Sequence, residues 1–417
     1  MNFNKKYLFN HRFLMSLVVL FISLDITAQA VNTGEFTINP GTVVSVVSDF
    51  DNQTSGELMH DGDLYIYSNF NNDGLIGFLT EGLTRFQGKS TQKITGEEES
   101  FFFDVLFNNA SSQPAFELAG GISIANEGTF TSGIVDNDNH GGTISFERLA
   151  TAITPSDASH VDGTVIKRGD TGFNFPIGDG GFYRYGGISA PNDATDIYTG
   201  KYFLENSDNL YSHNSKQERI QIIDNTEYWI IDKKEDNEHA EYVTLTWDED
   251  TTPLEIYAEP VEINIVRWDE AEGQWVDEGG VVDENNKTVT TIAEAYGIFT
   301  LARVGIVEPC GSFNVYNALS PNNDGLNDYF KIDVGDDDCY DRVGVKIFNR
   351  WGVEVFQADS YGDGGKVFRG YSEGRATIAK GELLPAGTYF YILTLEFTNI
   401  DGQQQYDKRD GYLYLTY

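Results

Sequence analysis

The chain has 417 residues, with 28 Lys+Arg against 65 Asp+Glu and a formal net charge of −37. A surface this acidic repels phosphate backbones and anionic lipid, which argues against nucleic acid or a polybasic membrane contact as partners. The length exceeds one ordinary core and predicts two or three domains.

Lys5, Lys6 and Arg12 form a basic start, Phe13 to Leu24 is a short apolar run, and Ala28-Gln29-Ala30 offers a small-x-small cleavage pattern. This layout predicts a secretory signal over 1–30, cleaved near Ala30, because the apolar run is too short to span a bilayer. A retained membrane anchor is the alternative reading. No later stretch is apolar enough for a transmembrane helix, so the mature chain, starting near Val31, is expected to be exported and soluble. Without the signal the chain keeps 25 basic and 64 acidic residues, a net of −39.

The rest reads as all-β. Aromatic and β-branched residues come in short runs separated by Gly, Asn and Asp, as strands and turns do. Over 31–155 the phrasing is loosely repeated: Gly62-Asp63-Leu64-Tyr65-Ile66-Tyr67, then Asn72-Asp73-Gly74-Leu75-Ile76-Gly77-Phe78, later Gly121-Ile122-Ser123-Ile124 and Gly142-Thr143-Ile144-Ser145-Phe146. Such spacing suits the stacked turns of a β-solenoid-like stalk, with a sandwich as the competing arrangement, since no strict period can be counted. The run from Phe86 through Gly96 to Phe107-Asn108-Asn109 is similar to the solenoid-like stalks of Bacteroidetes surface proteins.

Residues 156–306 predict an immunoglobulin-like sandwich. Val161 to Arg168, Tyr228 to Ile231, Val243 to Trp247, Ile263 to Trp268 and Gly297 to Leu301 alternate or run apolar at sandwich spacing. Trp229, Trp247, Trp268 and Trp275 could line a sugar platform, although large aromatics more often pack a core. Zinc-helix His pairs, a GxSxG elbow and a phosphate loop are all missing from the sequence. Gly178-Asp179-Gly180-Gly181 lies between strand-like runs and reads as a hairpin turn. No catalytic residue, metal site or cofactor is therefore predicted.

Composition shifts near Val307. Residues 31–306 carry 15 basic and 47 acidic residues, and residues 307–417 carry 10 and 17. Both cysteines, Cys310 and Cys339, lie in this last domain, where an exported pair predicts a disulfide, with two unpaired thiols as the alternative.

The domain 307–417 also holds a series of motifs. Ser320-Pro321-Asn322-Asn323-Asp324-Gly325-Leu326-Asn327-Asp328 is a polar Asx loop. Its oxygen side chains around a Gly are what a Ca²⁺ loop uses, but an EF-hand's closing Glu is missing and Asx turns need no ion. Asn349-Arg350-Trp351-Gly352 ends one strand, Pro385-Ala386-Gly387 turns into a strand that holds Tyr389, and Gly411 lies in the last strand. These segments predict a small antiparallel β-sandwich.

In order and spacing the motifs resemble the gliding motility-associated C-terminal domain, the type B sorting domain of the Bacteroidetes type IX secretion system. The resemblance covers about 310–417 and implies one partner, the outer-membrane translocon, and a destination at the cell surface or in the medium. The family's Trp-Asp-Gly turn is replaced here by Phe368-Arg369-Gly370. On this reading the protein is a structural or adhesin-like surface protein, with gliding suggested by the family's name and surface glycans or other surface proteins as further partners. A carbohydrate-binding module and a glycan hydrolase are the alternatives.

Overall fold

The computed structural model describes residues 29–191, 193–234, 242–305, 313–334, 340–350, 352–373, 381–398 and 404–417. The predicted signal up to residue 28, Cys310, Cys339 and Trp351 lie outside the described residues. Nearly all regular structure is strand.

The N-terminal region is a β-solenoid. Each of its first three turns contributes three short strands, beginning with Gln29–Asn32, Glu35–Ile38 and Val43–Val46. These stack in parallel on Asp49–Asn52, Glu57–His60 and Asp63–Ile66 of the second turn. Alternation makes this possible, because every second residue enters the interior and turns at Gly or Asn redirect the chain. Aromatic residues then stack along the axis, with Phe50 5.7 Å from Phe70 and Phe107 5.4 Å from Phe130.

A buried amide ladder runs beside them. Asn32 donates to Asn52 at 2.8 Å, and Asn52 donates to Asn72 at 2.8 Å, each pair twenty residues apart. Stacked amides satisfy one another where water cannot reach, which fixes the register of successive turns.

Parallel stacking runs beyond residue 155, through Val161–Asp162 to Ile177–Asp179. The hand-over comes when Val165–Arg168 pairs antiparallel with Ile197–Phe203, which pairs with Tyr228–Lys233. That sheet continues through Gly297–Val304 and Ile263–Asp269 to Gln274–Gly279. Facing it is a second sheet of Phe173–Asn174, Gly186–Ile188, Tyr242–Thr246, Thr288–Ile292 and Val281–Asp283. One apolar core extends from Ile38 in the first solenoid turn to Leu301 in the sandwich. The tryptophans belong to packing: Trp229 and Trp275 are fully buried, Trp247 nearly so, and Trp268 lies against Tyr211 and Trp275.

The C-terminal domain is a five-stranded sheet in the order Ala318–Leu319, Gln404–Leu415, Gly387–Thr398, Arg342–Phe348, Glu354–Ala358. Only the first pair is parallel, and the ribbon of Asn314–Tyr316 with Lys331–Asp333 makes a partial second layer. Its own core gathers Phe330, Ile347, Phe356, Phe368, Leu393 and Leu413.

Candidate functional site in the C-terminal domain

The Asx loop is closed by its own side chains. Asp328 accepts from the backbone N–H of Asn323 through Oδ1 at 2.6 Å and of Gly325 through Oδ2 at 2.8 Å. Asp324 Oδ1 accepts from Leu326 N–H at 2.8 Å, while its Oδ2 accepts from Asn322 Nδ2 at 3.0 Å. Asn323, Gly325 and Asn327 all have positive φ, a conformation that Asn and Gly tolerate best. Ser320 N–H reaches Asn327 O at 2.8 Å and closes the base.

The turn Phe368-Arg369-Gly370 is where the motifs meet. Phe368 is fully buried, with its ring 5.3 Å from Phe356, and its carbonyl accepts from Phe330 N–H at 2.9 Å. Gly370 has φ 78°, and a Cβ there would lie 3.1 Å from both Pro321 and Leu415. Its carbonyl accepts from Leu384 N–H at 2.8 Å. The Asx loop, the Pro385 turn and the terminal strand are thus tied to one another through this turn. Tyr389, nearly buried, donates to Pro385 O at 2.8 Å and pins that turn to the sheet.

Register places the remaining motif at the same end of the sheet. Phe348 pairs with Phe390, so Asn349 and exposed Arg350 emerge beside Tyr389. Asn349 Oδ1 accepts from Val353 N–H at 3.0 Å, and Gly352 has φ 80°. Gly411 sits further down, where a Cβ would fall 2.7 Å from Tyr391 Cζ, so the Tyr391 ring occupies the space a side chain would need. Of the residues singled out in the sequence, those described therefore form one end of one sheet, except Gly411, which belongs to its interior.

Sequence reasoning missed the contact between this domain and the sandwich. Phe348, Phe390 and Ile392 form an apolar cluster with Tyr242 and Ile292 across the boundary. Tyr242 lies 5.1 Å from Phe390 and donates to Asn349 O at 3.3 Å. A Cβ on Gly352 would meet Ser189 Oγ at 2.9 Å, so the Asn349–Gly352 turn also rests on the sandwich.

Charged residues of the last strand complete this contact. Asp407 is buried between Arg219 at 2.5 Å and Arg409 at 2.9 Å. Lys408 reaches Glu278 at 3.4 Å, and Glu278 also holds Arg267 at 2.7 Å. Asp410 accepts from Gly280 N–H at 3.0 Å, and burial pushes its carboxyl up to about 7, with Asp277 adding to the rise and Lys408 and Arg219 opposing it. The run Asp407-Lys408-Arg409-Asp410 supplies these partners, but in the sequence it is indistinguishable from a solvated charge run and gives no sign of a second surface.

Residues 313–415 match the family model of the CHU_C type IX secretion signal domain. Among curated proteins none matches the chain. The C-terminal domain is thus a type IX sorting domain, its partner is the type IX secretion machinery, and the chain is exported to the cell surface or secreted. No helix among the described residues is long and apolar enough to cross a membrane.

Proposed function

We propose that the body over 29–305 is a stiff, non-enzymatic structural or adhesive module, and that the sorting domain delivers it to the outer face of the cell. The observation that carries this is the unbroken apolar core from Ile38 to Leu301, which joins solenoid and sandwich into one rod-like unit. Ser207 and His213 are 2.9 Å apart, as a nucleophile and base would be, but Ser207 has no solvent contact and the pair staples its loop.

The translocon is read, in this proposal, by the sheet end where the Asx loop, Arg350, the Pro385 turn and the terminal residues converge. Tyr242 and Ile292 occupy the docked face of the sheet, and the Asx loop, Arg350 and the Pro385 turn keep exposed residues at its end. Protease accessibility on intact cells tests delivery: digestion in a normal strain and protection in a type IX-deficient one is expected. Arg350→Ala should lower export with folding unchanged, and unchanged export would remove Arg350 from the recognition surface. Loss of gliding in a deletion strain would extend the role to motility.

The Asx loop, in the same reading, holds its shape without Ca²⁺, since all four carboxylate oxygens of Asp324 and Asp328 already accept hydrogen bonds. Heat on titration with millimolar Ca²⁺ would contradict this. Cys310 and Cys339 are proposed to pair; the neighbouring rings of Phe313 and Tyr340 lie 6.3 Å apart, which brings the two flanks together. The bond would add about 3–4 kcal/mol, and an intact mass 2 Da higher after reduction would reveal it.

A second reading, a glycan-binding module, rests on Tyr65 and Tyr67. Their rings are near-parallel at 6.2 Å, with the Arg85–Asp63 ion pair alongside. A glycan-array signal lost on Tyr67→Ala would favour it over the adhesive module without sugar binding.

A further inference from the structure

We infer that the first turn of the solenoid is an open, self-complementary end through which two copies of this chain pair head to head. Among the described residues, each of the strands Gln29–Asn32, Glu35–Ile38 and Val43–Val46 is paired on one side alone, to the second turn. Their other edges present a row of backbone donors and acceptors, the template on which another strand adds.

The core is partly open at this end as well, although Ile38 and Val46 of the first turn are already buried. Ala30, Phe36 and Val44 point into the solenoid but are only partly buried. Their register partners one turn up, Phe50, Leu58 and Leu64, are at most 4 % exposed. A further layer of apolar side chains would bury the first turn as the second is buried. Outside the core, Val43 and Val47 are 61 % and 79 % exposed on the same turn.

Charge identifies the occupant. Exposed edges in soluble proteins are usually guarded by charged side chains. The segment Gln29 to Val47 carries one charged side chain, Glu35, whereas the nineteen residues that follow Ser48, Asp49 to Tyr67, carry five acidic side chains. Two mature chains of net charge −39 repel one another over most of their surface, and this end is where they can approach. A second copy brings the same uncharged edges and the same unfilled apolar layer.

Direction follows from the other end of the stack. There, Ile177–Asp179 is covered by Phe182–Tyr183, and Val165–Arg168 by Ile197–Phe203. A head-to-tail filament has no tail edge to use. Two first turns meeting about a two-fold axis give a closed dimer.

Sedimentation velocity of the mature exported protein tests this. A dimer is expected at micromolar concentration, and Val43→Lys should weaken it more than tenfold with an unchanged circular dichroism spectrum. Leu149→Lys, exposed and away from the first turn, serves as the control and should leave the dimer intact. For orientation, Val47→Cys should give a cross-linked dimer mapped to residue 47 by mass spectrometry, and Leu149→Cys should not. A protein that stays monomeric at all concentrations would overturn the inference. So would a dimer indifferent to Val43→Lys, or a native chain that keeps residues before Gln29 and remains a monomer.

Discussion

Asp410→Asn separates the contribution of the domain contact from that of either domain alone. The carboxyl is held against Gly280 N–H, and Asp277, Lys408, Arg219 and the Tyr391 phenol face it from the surrounding strands. A carboxyl raised from 3.8 to about 7 binds its proton more tightly in the docked state. The associated stability is complete below the ordinary value, falls as pH rises toward about 7, and is gone above it. The full difference amounts to about 4 kcal/mol. Asp410 keeps partial solvent contact, so about half, or about 2 kcal/mol, is the better expectation. Asparagine copies the shape of the protonated acid, still accepts from Gly280 and does not titrate. Urea unfolding of the mature protein at pH 5 and pH 8 gives the comparison. The variant should exceed the native chain by less than about 1 kcal/mol at pH 5 and by about 2 kcal/mol at pH 8. An equal effect at both pH values would refute the reasoning, because the carboxyl would then carry no docking-dependent titration.

Three further outcomes are expected. Gly411→Ala drives a methyl into the Tyr391 ring and should destabilise the sorting domain by about 1–3 kcal/mol in thermal unfolding, with reduced export. Asn52→Ala interrupts the amide ladder, leaving Asn32 Nδ2 and Asn72 Oδ1 without their partner, and should cost about 2–4 kcal/mol in urea unfolding. N-terminal sequencing of the exported protein should begin at Gln29: cleavage after Ala28 keeps all four pairs of the first strand with Asp49–Asn52, whereas cleavage after Ala30 removes two of them.

Much of this architecture is legible in the residues, and the gaps have physical causes. Gly- and Asn-bounded runs such as Gly62 to Tyr67 marked solenoid turns, but turn spacing alone left a sandwich as the competing arrangement. What decides is parallel register, and its sign in the sequence is the Asn32, Asn52, Asn72 series. That series is then lost, because the fourth turn replaces the amide ladder with a carbonyl contact from Asn72 to Glu98 at 3.2 Å, twenty-six residues on. The boundary placed at 155 follows a composition of short strands, whereas the parallel stack persists to Asp179 on strands of two or three residues, too short to carry a pattern. Burial of the tryptophans was readable from side-chain size. The domain contact was not, since Asp407 to Asp410 reads as a solvated charge run until Arg219 and Glu278 are brought opposite by the fold.

The turn that departs from the family pattern shows what that turn does here. Phe368 fills a closed pocket against Phe356, so an aromatic of smaller size than Trp still seals the core. At the position of the missing Asp, the Arg369 guanidinium lies 5.5 Å from the Tyr329 ring centroid and covers the base of the Asx loop. The backbone, through Gly370 and its contacts to Pro321, Leu384 and Leu415, does the joining. A side-chain change that leaves this backbone in place leaves the sheet end assembled. Recognition that depends on the assembled end, rather than on the Asp itself, then tolerates the substitution. Replacing Gly370 should be worse than replacing Arg369: at φ 78° a side chain is strained and meets two neighbours. Export of Gly370→Val should fall while export of Arg369→Ala holds. The reverse order would place recognition in the side chain and not in the fold of this end.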